Sequence, residues 1–534
     1  MKNQKDKIST QKKENLYIII LLALNVISTL LLFDAKVSIG GDDALYIQRA
    51  HTFINSGEIP GYQGSLYPMF LAIIISIFGL NLIALKVFSI IFNTVGLYLI
   101  YRALRSDFNR SAIFAMLIIM VINSSFLYFG SQTYTEAFFT MIIGIFLLVF
   151  KRYHSYITTF QYNVKNDWKG ILFISFCAFL VYLTKNIGLT AIVSLVFLLL
   201  VKKRWKQAIL FFISFLLFVG IFTTIRYLTT EKAEIQIASQ GSNLLQKHPY
   251  DASQGKEDIS GFINRFFENS NQYFSKQFLT IIGLQKETNY DQTPIIALLL
   301  WLILILGSIR YYKKNEFIFF IYVFASITFA VIFVVLHTFW KQERMIITFV
   351  PILLVLLLQL LFDFSKKANF KWLNIVTYIL ISIFIISSFS KTIKKISKNI
   401  PALNHYLKGD LLYGFENDWE NYINMAKWAS ENLPDSSYIA CRKPGISFIY
   451  TGEKFYGIYR VEMEDPDELY KKVKDAGVTH FIIASLRTNP DVNNGRVITT
   501  LRRYFGPIQE KYPDRIRMIH SIGESEQAYL FEIK

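Results

Sequence analysis

The sequence predicts an α-helical polytopic membrane protein with about eleven transmembrane helices, juxtamembrane helices in its first outside loop, and a small C-terminal α/β extracytoplasmic domain. Three observations carry that prediction. Of 534 residues, 53% are hydrophobic and 16% aromatic, a composition outside the soluble globular range. Apolar runs long enough to cross ~30 Å of hydrocarbon recur through residues 1–390. The basic residues behind a formal charge of +17 fall in short clusters between those runs, which is a topology signal and not the single stripe of a nucleic-acid binder, so no nucleic acid is expected as a partner.

Taken in order, the runs lie at 16–33, 81–101, 111–129, 135–150, 170–184, 188–201, 207–228, 294–310, 316–336, 345–362 and 373–390. The first follows a basic head like a signal peptide, but it is long and no A-x-A-like cleavage site follows, so it reads as an uncleaved anchor. The run Tyr67 to Gly79 would reach only about 20 Å as a helix and reads as juxtamembrane. With the N-terminus cytoplasmic, the inside stretches hold 22 Lys and Arg, whereas the short outside loops hold Lys36, Arg49, Lys185, Lys341 and Arg344. Inserting Tyr67–Gly79 would invert every later loop against the positive-inside rule. A multi-pass protein of the cell (inner or plasma) membrane follows, surrounded by membrane lipids.

Three parts face outward in this scheme: the first loop (34–80), a polar loop (229–293) and the tail (391–534), so that 1–390 forms the transmembrane domain and 391–534 a domain of its own. In the tail, "WENYINMAKWASENL", "SYIACR", "DPDELYKKVKDAG" and "THFIIAS" alternate helix and strand patterns, as in a small α/β unit. Cys177 falls in a span and Cys441 in the tail, so no disulfide is expected. The absence of GxGxxG, Walker and CxxC motifs argues against nucleotide binding and a cysteine zinc site.

After the first span comes "GDDALYIQRAHTFINSGEIPGYQGSLYPMFLAIIISIFG", and the later segments "YTEAFF" (134–139), "LTKNIGL" (183–189) and "KQERMIITFVP" (341–351) follow in order. Together these resemble type C (GT-C fold) glycosyltransferases of the protein O-mannosyltransferase and aminoarabinose transferase group, over most of the membrane part. Met69, where a second proline is usual, and Met345 after Arg344 depart from the pattern. The resemblance implies transfer of one sugar from a polyprenyl-phosphate carrier to an extracytoplasmic acceptor hydroxyl or amine, on protein, lipid or glycan, with inversion.

The chemistry fits few residues. A lipid phosphate leaves without a strong acid, whereas the acceptor must lose a proton as it attacks, so one ionised carboxylate suffices as base and positive groups must hold the departing phosphate. Asp42 aligns with the first acid of the family pair and is the expected base, with Asp43 beside it. Asp42 or Asp43 also suits an N-cap for a helix starting at Ala44. Glu136 forms a T-x-x-E capping box with Thr133 or acts as a second acid that orients base or acceptor; both readings stand. Arg344 suits a phosphate through its planar fork, unless Glu343 pairs with it, and Lys185 and Lys341 are the other candidate phosphate cations, although an interfacial lysine such as Lys341 commonly snorkels. The sequence certifies no cofactor; the resemblance admits a divalent cation beside the acids, while His51 and His337 read as structural. The competing class is a transporter or flippase of lipid-linked sugars, which should show midmembrane acids or Gly/Pro breaks in paired halves; the conspicuous charges here sit at span ends and no repeat is present.

Overall fold

The structure is a computed structural model that describes residues 2–61, 63–158, 164–230, 244–248, 251–289, 291–367, 371–459, 461, 465–487 and 497–534. Two compact units emerge: Met1–Phe33, Ser56–Phe70 and Lys86–Ile400 form one, and Asp34–Asn55, Leu71–Leu85 and Pro401–Lys534 the other.

Helices follow the hydropathy of the sequence. In order they are α1 (Lys2–Leu31), α2 (Asp42–Ser56), α3 (Leu66–Phe78), α4 (Leu82–Leu104), α5 (Arg110–Val121), α6 (Ser124–Ser131), α7 (Thr135–Thr158), α8 (Val164–Thr184), α9 (Leu189–Val201), α10 (Trp205–Thr229), α11 (Ile259–Ser270), α12 (Pro294–Tyr311), α13 (Glu316–Val335), α14 (Val350–Lys367) and α15 (Lys371–Leu407). Each of the eleven apolar runs is helical, and α2 and α3 occupy the first loop as expected. Length and apolarity suffice for a span in six, namely α1, α4, α10, α12, α13 and α15, or seven if the bent pair α5–α6 counts as one, among the described residues. The chain is a helical multi-pass membrane protein.

Three expected spans differ in detail. The run at 111–129 is not one rod: α5 and α6 meet at 64°. Asn123 makes the break, its Oδ1 accepting from Phe126 N at 2.9 Å as an N-cap while its Nδ2 donates to the Ile281 carbonyl at 2.8 Å. The run at 345–362 divides into a single turn, Arg344–Ile347, and α14, with Pro351, which has no N–H to give the ladder, near the junction. The last run continues to Leu407, well beyond 390, and carries Pro401 within it.

Burial separates two kinds of helix in this unit. Along α13, Phe317, Phe320, Phe324, Phe329 and Phe333 are buried, and four of these rings meet Phe146, Phe274 and Phe349 edge-on or tilted, with centroids 4.9–6.5 Å apart. Along α10, Ile209, Phe212, Leu216, Leu217 and Ile221 are exposed, which suits a hydrocarbon solvent. Within the expected polar loop, strands β1 (Gln246–His248) and β2 (Asp251–Lys256) pair antiparallel; residues 231–243, 249, 250 and 290 of that loop lie outside the described residues.

The second unit carries a five-stranded mixed sheet. Its strands are β3 (Ile439–Cys441), β4 (Tyr456–Gly457), β5 (His480–Ile483), β6 (Ile516–Ile522) and β7 (Ala528–Ile533), in the order β4-β3-β5-β7-β6. β3 runs parallel to β4 and β5, and β7 antiparallel to β5 and β6. The helices of this part are α16 (Asn417–Asn432), α17 (Pro444–Thr451), α18 (Pro466–Asp475) and α19 (Thr500–Lys511). Leu469, Val473, Phe481, Leu501, Phe505 and Ile508 are core residues, so the apolar faces of α18 and α19 cover the sheet. Both cysteines are free and buried.

Candidate active site

In the second unit, a short loop delivers the two adjacent acids. Gly41 takes φ +84°, a left-handed conformation natural to glycine, and its carbonyl accepts the first helical bond from Leu45 N at 3.0 Å. The helix therefore begins at Asp42, and both acids stand in its first turn instead of capping a helix that starts at Ala44. Negative charge is favoured there by the exposed N–H groups. Their employment differs. Asp43 is fully buried: Oδ2 accepts from Ser38 N at 2.8 Å, and Oδ1 from Ser38 Oγ at 2.8 Å and Ala44 N at 2.9 Å. Asp42 is only half-buried.

Lys443 closes on the same loop. Its Nζ donates to the Ile39 carbonyl at 2.8 Å and the Gly40 carbonyl at 3.1 Å. Burial, reinforced by Arg442, pushes its ammonium down to about 8, against the opposing pull of Asp42 and Asp43.

The first unit holds the remaining sequence-predicted residues. Glu136, near the start of α7, is buried and its Oε1 meets Lys185 Nζ at 3.0 Å. The capping box is not formed: Thr133 Oγ1 and Glu136 Oε2 are buried without a hydrogen-bond partner among the described residues, because the carboxylate turns to Lys185 instead. Lys185 itself sits 6.0 Å from the Phe139 ring centroid. Arg344 places its guanidinium 5.0 Å from the Tyr134 ring centroid and donates from Nε to Gln342 Oε1 at 2.8 Å. Glu343 pairs with Lys391 at 3.8 Å. Lys341 is exposed, as a snorkelling lysine would be. His337 is buried against Trp340, and in the second unit His51 lies against Phe448.

One cation escaped the sequence reading. Lys86, in the first turn and a half of α4, is fully buried and donates to Gln132 Oε1 at 2.6 Å. A lone lysine inside an apolar run was the available signal, since an ionisable group in a membrane helix is costly and usually has a task.

Among the described residues no group of three or more His, Cys, Asp or Glu side chains could hold a metal ion. Asp43 spends both its oxygens on N–H and O–H donors, and Oε1 of Glu136 faces an ammonium.

Helices in this order, with a charged loop after the first and a mixed sheet at the end, have counterparts among known proteins. Residues 16–230 match the model of the Alg9-like mannosyltransferase family. The fold matches that of ArnT from Cupriavidus metallidurans bound to undecaprenyl phosphate, with a TM-score of 0.54 at 10% identity over 97% of this chain and 98% of that one. It also matches the apo oligosaccharyltransferase of Archaeoglobus fulgidus, with a TM-score of 0.55 at 12% identity over 95% of this chain and 80% of that one. No curated protein sequence matches significantly.

Proposed function

We propose that the protein transfers one sugar from a polyprenyl-phosphate carrier to an extracytoplasmic acceptor hydroxyl or amine, with inversion at the anomeric carbon. In this reading all eleven apolar segments cross the membrane, the shorter ones tilted or paired, the N-terminus is cytoplasmic, and the loops bearing Asp42, Glu136, Lys185, Lys341 and Arg344 face outward, as does the domain of residues 391–534. The acceptor heteroatom attacks the anomeric carbon as the bond from that carbon to the phosphate oxygen breaks. The bonding pair leaves with the lipid phosphate, and the acceptor proton passes to the Asp42 carboxylate.

The observation that supports this reading most is the division of labour between the adjacent acids: Asp43 accepts three hydrogen bonds that shape the loop, while Asp42 stands half-buried at the head of α2. Glu136, held by Lys185, orients the acceptor. Arg344 offers its fork to the phosphate, and Lys341 adds positive charge to the donor side. ArnT's complex with undecaprenyl phosphate makes a lipid of that kind the natural carrier to test.

The test incubates the purified protein with undecaprenyl-phosphate-linked mannose, glucose, galactose and aminoarabinose and follows release of undecaprenyl phosphate. Turnover of at least one donor by the parent, and by no Asp42→Asn variant, is the expected result. Equal turnover by parent and variant would remove Asp42 from the reaction.

A further inference from the structure

The C-terminal domain enters the site through a loop it does not contain. Residues 36–44 are fastened at several points by residues beyond 401, all within the second unit. Lys36 Nζ donates to Tyr406 Oη at 2.8 Å and to the Tyr413 carbonyl at 3.1 Å. Val37 N donates to Tyr450 Oη at 3.3 Å. Lys443 Nζ holds the carbonyls of Ile39 and Gly40. A Cβ added at Gly445 would stand 3.3 Å from Ala44 Cβ, so the first turn of α17 rests directly on the first turn of α2.

Of these fastenings, the lysine acts nearest the chemistry, two and three residues before Asp42. Its backbone is rooted in the core: the fully buried Tyr422 donates from Oη to the Lys443 carbonyl at 3.0 Å and pairs with Ser447 Oγ at 2.7 Å. Two carbonyls on one ammonium fix the peptide planes around Gly40, a stretch whose glycines would otherwise leave it many conformations.

We propose that Lys443 is a positioning residue for transfer, which by clasping the Ile39 and Gly40 carbonyls aims Asp42 at the acceptor, so that the C-terminal domain completes the active site. The proposal rests on Asp42 being the base. Groups facing the ammonium are Arg442, which repels it, Asp42 and Asp43, which attract it, and the Trp419 ring, 5.9 Å away. Because the ammonium titrates near pH 8, the clasp is complete below that pH and weakens as the proton leaves above it.

The experiment compares full-length parent, Lys443→Met, Lys443→Arg and Asp42→Asn with the panel donor the parent turns over. It measures kcat, donor KM, the pH profile, thermal midpoint and amide exchange over residues 36–46. Lys443→Met is expected to lose about 10²-fold in kcat with donor KM and thermal midpoint near those of the parent, the scale of a slightly misplaced catalytic group. Its amides at 38–45 should exchange faster. Lys443→Arg should retain most activity and shift the parent's alkaline decline, centred near pH 8, upward. Parental kcat in Lys443→Met, or a fall in thermal midpoint that accounts for its whole loss and is equal in Lys443→Arg, overturns the proposal. An inactive Asp42→Asn beside a fully active Lys443→Met overturns the clasp alone, whereas an active Asp42→Asn overturns the base and the clasp's purpose with it.

Discussion

Asp42–Asp43 and Glu136 look alike in sequence, each an acid in the first turn of a helix after a polar stretch, and the structure employs them in opposite ways. The α2 acids work locally: Asp43 ties the chain to Ser38, five residues back, and Asp42 is kept at the head of the helix. Glu136 works over distance, its carboxylate turned from its own helix N-terminus to Lys185, 49 residues on. An acid near a helix start is therefore a cap only if nothing stronger arrives, and an ammonium at 3.0 Å in a buried setting is stronger than a neutral N–H.

The contrast makes ordered predictions. The largest effect belongs to Asp42→Asn, which should lower transfer by about 10²- to 10⁴-fold, the usual worth of a general base, without lowering the thermal midpoint; release of lipid phosphate and a melting curve check both halves. A stability defect in its place would make Asp42 another Asp43.

Lys185→Met should act the other way, through stability, because it leaves the buried Glu136 carboxylate without its cation at a cost of about 3 kcal/mol. The double variant with Glu136→Gln should recover part of that loss in a thermal-denaturation cycle. Strict additivity would mean that the two side chains do not act as a pair.

Arg344→Ala should weaken binding of undecaprenyl phosphate by about 2 kcal/mol, and Arg344→Lys by less, since the lysine keeps charge and loses the fork; direct binding measurements distinguish them. Unchanged binding in both would remove the guanidinium from the phosphate and leave it a structural part beside Tyr134 and Gln342.

The smallest effect is expected at Glu287. Burial would raise its carboxyl, but Lys395 at 2.7 Å and Lys391 at 3.2 Å outweigh burial and draw it from an ordinary 4.5 down to about 2. Its contribution is thus present above pH 4.5 and lost as pH falls toward 2. With the side chain half exposed, that contribution is under about 1 kcal/mol. Glu287→Gln should flatten acid denaturation in this window while leaving neutral-pH stability nearly unchanged.

Hydropathy made every apolar helix legible, because period and length are written in consecutive residues, and α2 and α3 were readable for the same reason. Breaks were less so. Asn123 sits inside an apolar run as an ordinary polar residue until the Ile281 carbonyl, far along the chain, accepts from its amide. Motif order singled out the acids and Arg344, but not the contacts around them: Ser38 is near enough to guess, whereas Lys443 is 404 residues from Ile39, and Glu343 meets Lys391 from a later helix. Pairings of that range follow from topology, which no local pattern encodes.

Lys86 also bears on how the chain is made. When α4 first leaves the ribosome, Gln132 lies 46 residues further along and has not yet been synthesised, so an ammonium must enter the bilayer ahead of the amide that will receive it. Insertion scales put a central lysine at roughly 2.5–3.5 kcal/mol, less near a helix end, and the remaining apolar residues of α4 offset that cost. The helix is therefore inserted on the strength of its leucines, isoleucines and phenylalanines, and the bond from Lys86 to Gln132 closes only once α6 and α7 bring that amide beside it.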